Sequence, residues 1–159
     1  WIKKDQHLDE NFMSNRNYRC VLAFDIFRAT EAEWLSQAIL KTCFSNELLA
    51  ISYETGNIID TTKLRATRDD IYTYVNDKNL YNSVIFNKAE QFFAFFAQYR
   101  DYYQLFGPAA FLENANPVPP ETMKFQFFEN VNLEAQRAPI DEGKLSELWD
   151  TYSSVMLGE

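Results

Sequence analysis

Four glycines, one histidine and two cysteines in 159 residues leave little room for several kinds of chemistry. Gly56, Gly107, Gly143 and Gly158 are too dispersed to form a phosphate-cradling loop, and there is no GxSxG turn. His7 has only Asp9 and Glu10 beside it, and a metal shell needs a second ligand cluster that the chain does not offer. A Ser-His-Asp or Cys-His site would depend on the same histidine, set in a polar N-terminal stretch. Cys20 and Cys43 lack CxxC spacing and read as small buried hydrophobes in a reducing compartment, the cytoplasm. No apolar run reaches membrane-spanning length, and Trp1, Ile2, Lys3, Lys4 and Asp5 do not form a signal peptide. No metal, cofactor or membrane is expected.

Basic residues are scarce in one region above all. Residues 1–100 carry 13 acids and 12 bases, whereas residues 101–159 carry 10 acids against Lys124, Arg137 and Lys144. Seven of the eight net negative charges therefore fall in the last third. Such a balance argues against a nucleic-acid or anionic-membrane binder. It fits either a solvated face or a surface that steers a cationic partner.

What the chain has in quantity is apolar bulk, at 47 % of residues, enough for one domain over residues 1–159 without staples. Residues 1–17 are polar and expected to dock loosely. Eight rings crowd residues 92–106, and Phe92, Phe96, Tyr99, Tyr103 and Phe106 step by four, three, four and three. That spacing predicts a helix from Asn87, capped with Glu90, to Gly107-Pro108. Tyr18 to Phe27 alternates as an interior strand, with Asp25 tied to Arg28 near its end. Thr30 and Glu33 predict a capping box opening a helix to Cys43. Leu48–Tyr53, the turn Glu54–Asn57, and Ile58 with Ile59 read as strand, turn, strand.

Ile71–Val75 is rich in strand-favouring types, although Thr67 and Asp70 would also cap a short helix there; the strand is preferred. Tyr81–Phe86 and Met123–Phe128 also read as strands. A short helical turn is expected after Gly107-Pro108 through Leu112, then a proline loop from Asn114 to Pro120. A final helix is expected from about Glu142, capped by Asp141, burying Leu145, Leu148, Trp149, Tyr152, Val155 and Met156. The sum is an α+β fold with a mainly antiparallel sheet and helices on one face. Its order is that of a ferredoxin-like, split βαβ unit with an added C-terminal helix.

No constellation singles out an enzyme. The acidic last third instead suggests a non-catalytic binding protein, an inhibitor or immunity-type protein that neutralises a basic, nuclease-like toxin by electrostatic capture. The contact residues expected are Glu129, Glu134, Asp141, Glu142, Glu147 and Asp150. The alternatives are an adaptor dimerising through exposed aromatics, or a small enzyme using carboxylates such as Asp25.

Overall fold

Rows of apolar residues run across the strands on both faces, so the sheet must be covered twice. The structure is a computed structural model and describes residues 11–12, 15–23, 27–100, 102–136 and 142–157, without the side chains of Arg100, Glu142 and residues 152–157. Six strands form one antiparallel sheet: β1 (Arg19–Ala23), β2 (Glu47–Glu54), β3 (Asn57–Arg65), β4 (Asn82–Phe86), β5 (Phe93–Phe96) and β6 (Tyr103–Gly107). Their spatial order is β1-β6-β5-β4-β2-β3. In register, Val21, Leu105, Ala94, Ile85, Ala50 and Thr62 cross one face. Cys20, Phe106, Phe93, Phe86, Leu49 and Lys63 cross the other.

Three helices cover the first face: α1 (Ala29–Ala38), continued by a π-helical turn to Cys43, α2 (Arg68–Asp77) and α3 (Ala109–Ala115). Leu35, Ile39, Ile71, Val75, Phe111 and Leu112 fill that core. The aromatic second face is covered by α4 (Pro120–Ala135) and α5 (Glu142–Leu157) through Phe127, Val131, Leu148 and Trp149. The expected α+β single domain with an antiparallel sheet is therefore found. Helices cover both faces, however, because neither row of rings and aliphatics could be left wet. The first elements do run βαββαβ, but β1 lies at the edge beside β6, and every described strand pair is antiparallel.

The segment predicted as an aromatic helix is β5, a short turn and β6. Phe93 and Phe95 face α4 and α5, while Ala94 and Phe96 face α1 to α3. A strand buried on both sides is apolar at every position, so its rings also satisfy a helical spacing. Locally the helix start fails: Asn87 Oδ1 accepts the Gln91 N–H at 2.9 Å, and Glu90 takes a left-handed φ of 52°. Residues 71–75 are helical, not a strand. The Thr67 hydroxyl accepts the Asp70 N–H, and Ile71, Tyr74 and Val75 bury one stripe. Met123–Phe128 likewise lies inside α4. The capping residue of α1 is Arg28, two positions before Thr30: its N–H donates to Glu31 Oε2 at 3.1 Å, while Glu33 accepts from Gln37.

Two local features have measurable consequences. A β-carbon on Gly107 would stand 2.6 Å from Phe111 Cδ1. That ring is buried and stacked on Phe92 at 5.0 Å, so it cannot yield. Gly107→Ala should cost about 1–3 kcal/mol by urea unfolding, the usual range for overpacking. At the start of α2, Arg65 donates two side-chain bonds and its N–H to Asp70, which lowers that carboxyl from its ordinary 3.8 to about 2. A depressed folded-state pKa stabilises above the ordinary value and is lost as pH falls through the folded one. The stability gap between wild type and Arg65→Ala should thus be present at neutral pH and close between about pH 4 and 2. A gap that persists unchanged at the acid end would contradict this pairing.

Cys20 and Cys43 are free and buried, in the cores on opposite faces of the sheet, which precludes a bridge. In the N-terminal segment, Phe12 meets Phe93 edge-on at 5.7 Å, and Arg16 reaches Glu90 at 2.7 Å.

Candidate functional site

Pro120 can open α4 because the first helical position needs no amide hydrogen bond and suits its fixed φ. From there Met123, Phe127 and Val131 recur every four residues and are buried. The same spacing puts Phe125, Glu129 and Leu133 on the outer side. Along α5, Leu148 and Trp149 are buried, and Glu147 and Asp150 are exposed. The Trp149 ring lies 5.0 Å from Phe127 and 5.6 Å from Phe128, which holds the two helices side by side. Their outer surfaces therefore form one layer over the second face of the sheet.

The expected contact residues divide accordingly. Glu129, Glu147 and Asp150 are exposed on this layer. Glu134 is half-buried, towards the inner flank of α4, because three residues after Val131 the helix has nearly returned to its buried stripe. Glu142 occupies the first turn of α5, and Asp141 lies outside the described residues, as do Asp25, His7, Asp9 and Glu10. Lys124 and Lys144 are the only bases on the two helices.

Four ion pairs, Arg16–Glu90, Arg65–Asp70, Arg68–Asp69 and Lys78–Asp60, lie within the first hundred residues, and in the last third Glu134, Lys144 and Asp150 also make interactions of their own. The bases of those four pairs are engaged locally instead of screening the last third. Hydrogen bonding from Lys78, and next from Thr62, holds the Asp60 carboxyl below its ordinary range. Glu129 and Glu147 have no ion-pair partner among the described residues.

Sequence reasoning missed the apolar part of this face. Phe125 is 65 % exposed and Leu133 45 % exposed, one turn on either side of Glu129. Read as a strand, Met123, Phe125 and Phe127 share a face, which hid Phe125 in the core. The signal that separates it is the Met123–Phe127–Val131 interval, which Phe125 breaks.

Other chemistry finds little footing. Burial pushes the Cys20 thiol well above its ordinary pKa, so it is no thiolate nucleophile at neutral pH. Among the described residues, no three His, Cys, Asp or Glu side chains converge as metal ligands, and no helix is long and apolar enough to cross a membrane. No family model matches this chain, and no curated protein or solved structure is significantly similar to it.

Proposed function

We propose that the protein is a non-catalytic inhibitor or immunity-type protein whose α4–α5 outer face captures a basic, nuclease-like partner in the cytoplasm. The observation that carries this reading is Phe125, a largely exposed ring one turn from the exposed Glu129 on α4, on the helix packed beside the one that exposes Glu147 and Asp150. Carboxylates around an exposed aromatic suit an interface in which charge sets encounter and an apolar anchor sets lifetime. The anchor pair, Phe125 and Leu133, would fill a pocket on the partner, while the carboxylates oppose its cationic cleft. No nucleic acid is involved directly.

The test is calorimetric titration with a panel of basic nuclease toxins. Affinity should fall at least tenfold between about 50 and 500 mM salt, as screening weakens the exposed charges. Phe125→Ala should weaken binding at both salt concentrations. Absence of binding, or binding indifferent to salt, would exclude electrostatic capture.

A second reading, an adaptor that self-associates, is favoured by Ile58 and Ile59, exposed on the nine-residue edge strand β3. Light scattering separates the two: a salt-insensitive dimer supports the adaptor.

A further inference from the structure

Consecutive residues of a strand point to opposite faces, so a cavity bordered by several in a row meets the strand edge-on. A cavity of about 430 Å³ is bordered by Arg19, Cys20 and Val21 of β1 in this way. It lies along the edge of β1 that β6 leaves unpaired, since β1 is the last strand of the sheet. Its outer wall is the end of α3, the loop Asn116–Pro119 and the start of α4. A second chamber of about 220 Å³ continues past Leu22 and Ala23, and Asn116, Val118 and Met123 border both. Among the described residues no hydrogen bond reaches the outward side of β1, although Cys20, Val21 and Leu22 are buried. Buried backbone donors and acceptors are normally paired, so this edge offers polar groups to whatever enters.

The polar side chains are few and specific. Arg19 of β1 and Glu113 of α3, both exposed, border the cavity, and neither makes an ion pair among the described residues. Asn116 is 93 % buried; its Oδ1 accepts the Val118 N–H, while its Nδ2 donates only to the Met123 thioether, a weak acceptor. Leu112, Val118 and three prolines supply apolar lining. A simple carboxylate would meet Arg19 but be repelled by Glu113; a simple amine would suffer the reverse. A zwitterion satisfies both.

We propose that this cavity binds a free α-amino acid with a large apolar side chain. Its carboxylate pairs with Arg19 and its ammonium with Glu113, the β1 edge completes the polar contacts, and the side chain enters the proline-walled chamber. The volume is within the range of small-molecule sites. This site is separate from the α4–α5 face and does not depend on the function proposed for it.

The experiment is a thermal-shift and amide-NMR titration of the full chain with each of the twenty amino acids. Leucine, isoleucine, phenylalanine, methionine or tryptophan should raise Tm and shift the amide signals of residues 19–22. The N-acetyl amino acid, which keeps only the carboxylate, and the amino amide, which keeps only the ammonium, should each bind about tenfold more weakly. Arg19→Met and Glu113→Gln are exposed changes that leave the fold intact, and each should lose about tenfold in affinity. No shift with any amino acid, or equal binding of the N-acetyl form, would overturn the proposal. In the latter case the site takes simple carboxylates. Shifts confined to residues outside β1 and the 116–120 loop would also overturn it.

Discussion

Replacing Gln104 with methionine should stabilise the protein by about 1–3 kcal/mol, the usual cost of leaving a buried polar group unpaired. Gln104 sits in β6, between Leu22 of β1 and Phe95 of β5 in register, on the face covered by α4 and α5. It is fully buried, and neither Oε1 nor Nε2 has a partner among the described residues. The other buried polar groups show what pairing looks like here. Ser52 bonds to Tyr74 at 2.7 Å, and Asn82 accepts the Gln98 N–H at 2.9 Å. Methionine is close to glutamine in shape and removes both orphan atoms without opening a cavity. For a chain of this size Tm should rise roughly 2–4 °C per kcal/mol. The check is the urea midpoint at unchanged slope. A drop in midpoint would mean that the amide is satisfied in solution.

The largest loss should come from Phe127→Ala, at about 3–5 kcal/mol. Phe127 is 1 % exposed, and its ring contacts those of Phe128 and Trp149, so truncation leaves a void beneath both helices of the second layer. Two residues earlier, Phe125→Ala should move stability by no more than about 0.5 kcal/mol, since that ring is largely in water. The pair is a sharp test because chemistry and helix are the same and only burial differs. Equal effects in urea unfolding would mean that α4 is rotated from its described position.

Where local signals suffice, the chain states its own fold. The alternation through Arg19–Ala23 gives β1, and the apolar stripes along α1 and α5 give those helices within a turn, although the cap of α1 is Arg28 and not Thr30. Thr55 and Gly56 both adopt left-handed φ, at 47° and 81°, as a tight hairpin between β2 and β3 requires. Residues 87–106 were not legible because their partners decide them. Phe93 and Phe95 become strand residues by pairing with β4 and β6, and nothing inside the segment distinguishes a doubly buried strand from a helix. Residues 71–75 carry strand-favouring types, yet Thr67 and the Arg65–Asp70 pair fix a helix there. Of the candidate site, the charge was legible, because it lies in the sequence itself. The exposed ring of Phe125 was not, because its exposure depends on Met123–Phe128 being helical.

The central claim is that charge on the α4–α5 face, and not net charge, draws in a cationic partner. Stopped-flow association with a basic nuclease toxin that the calorimetric panel identifies tests it most directly, comparing wild type with two equal charge reversals. Glu129→Lys with Glu147→Lys should slow association at least tenfold at low salt, while Glu54→Lys with Asp77→Lys, exposed elsewhere, should leave it nearly unchanged. Equal slowing by both pairs, or slowing by neither, would contradict the account.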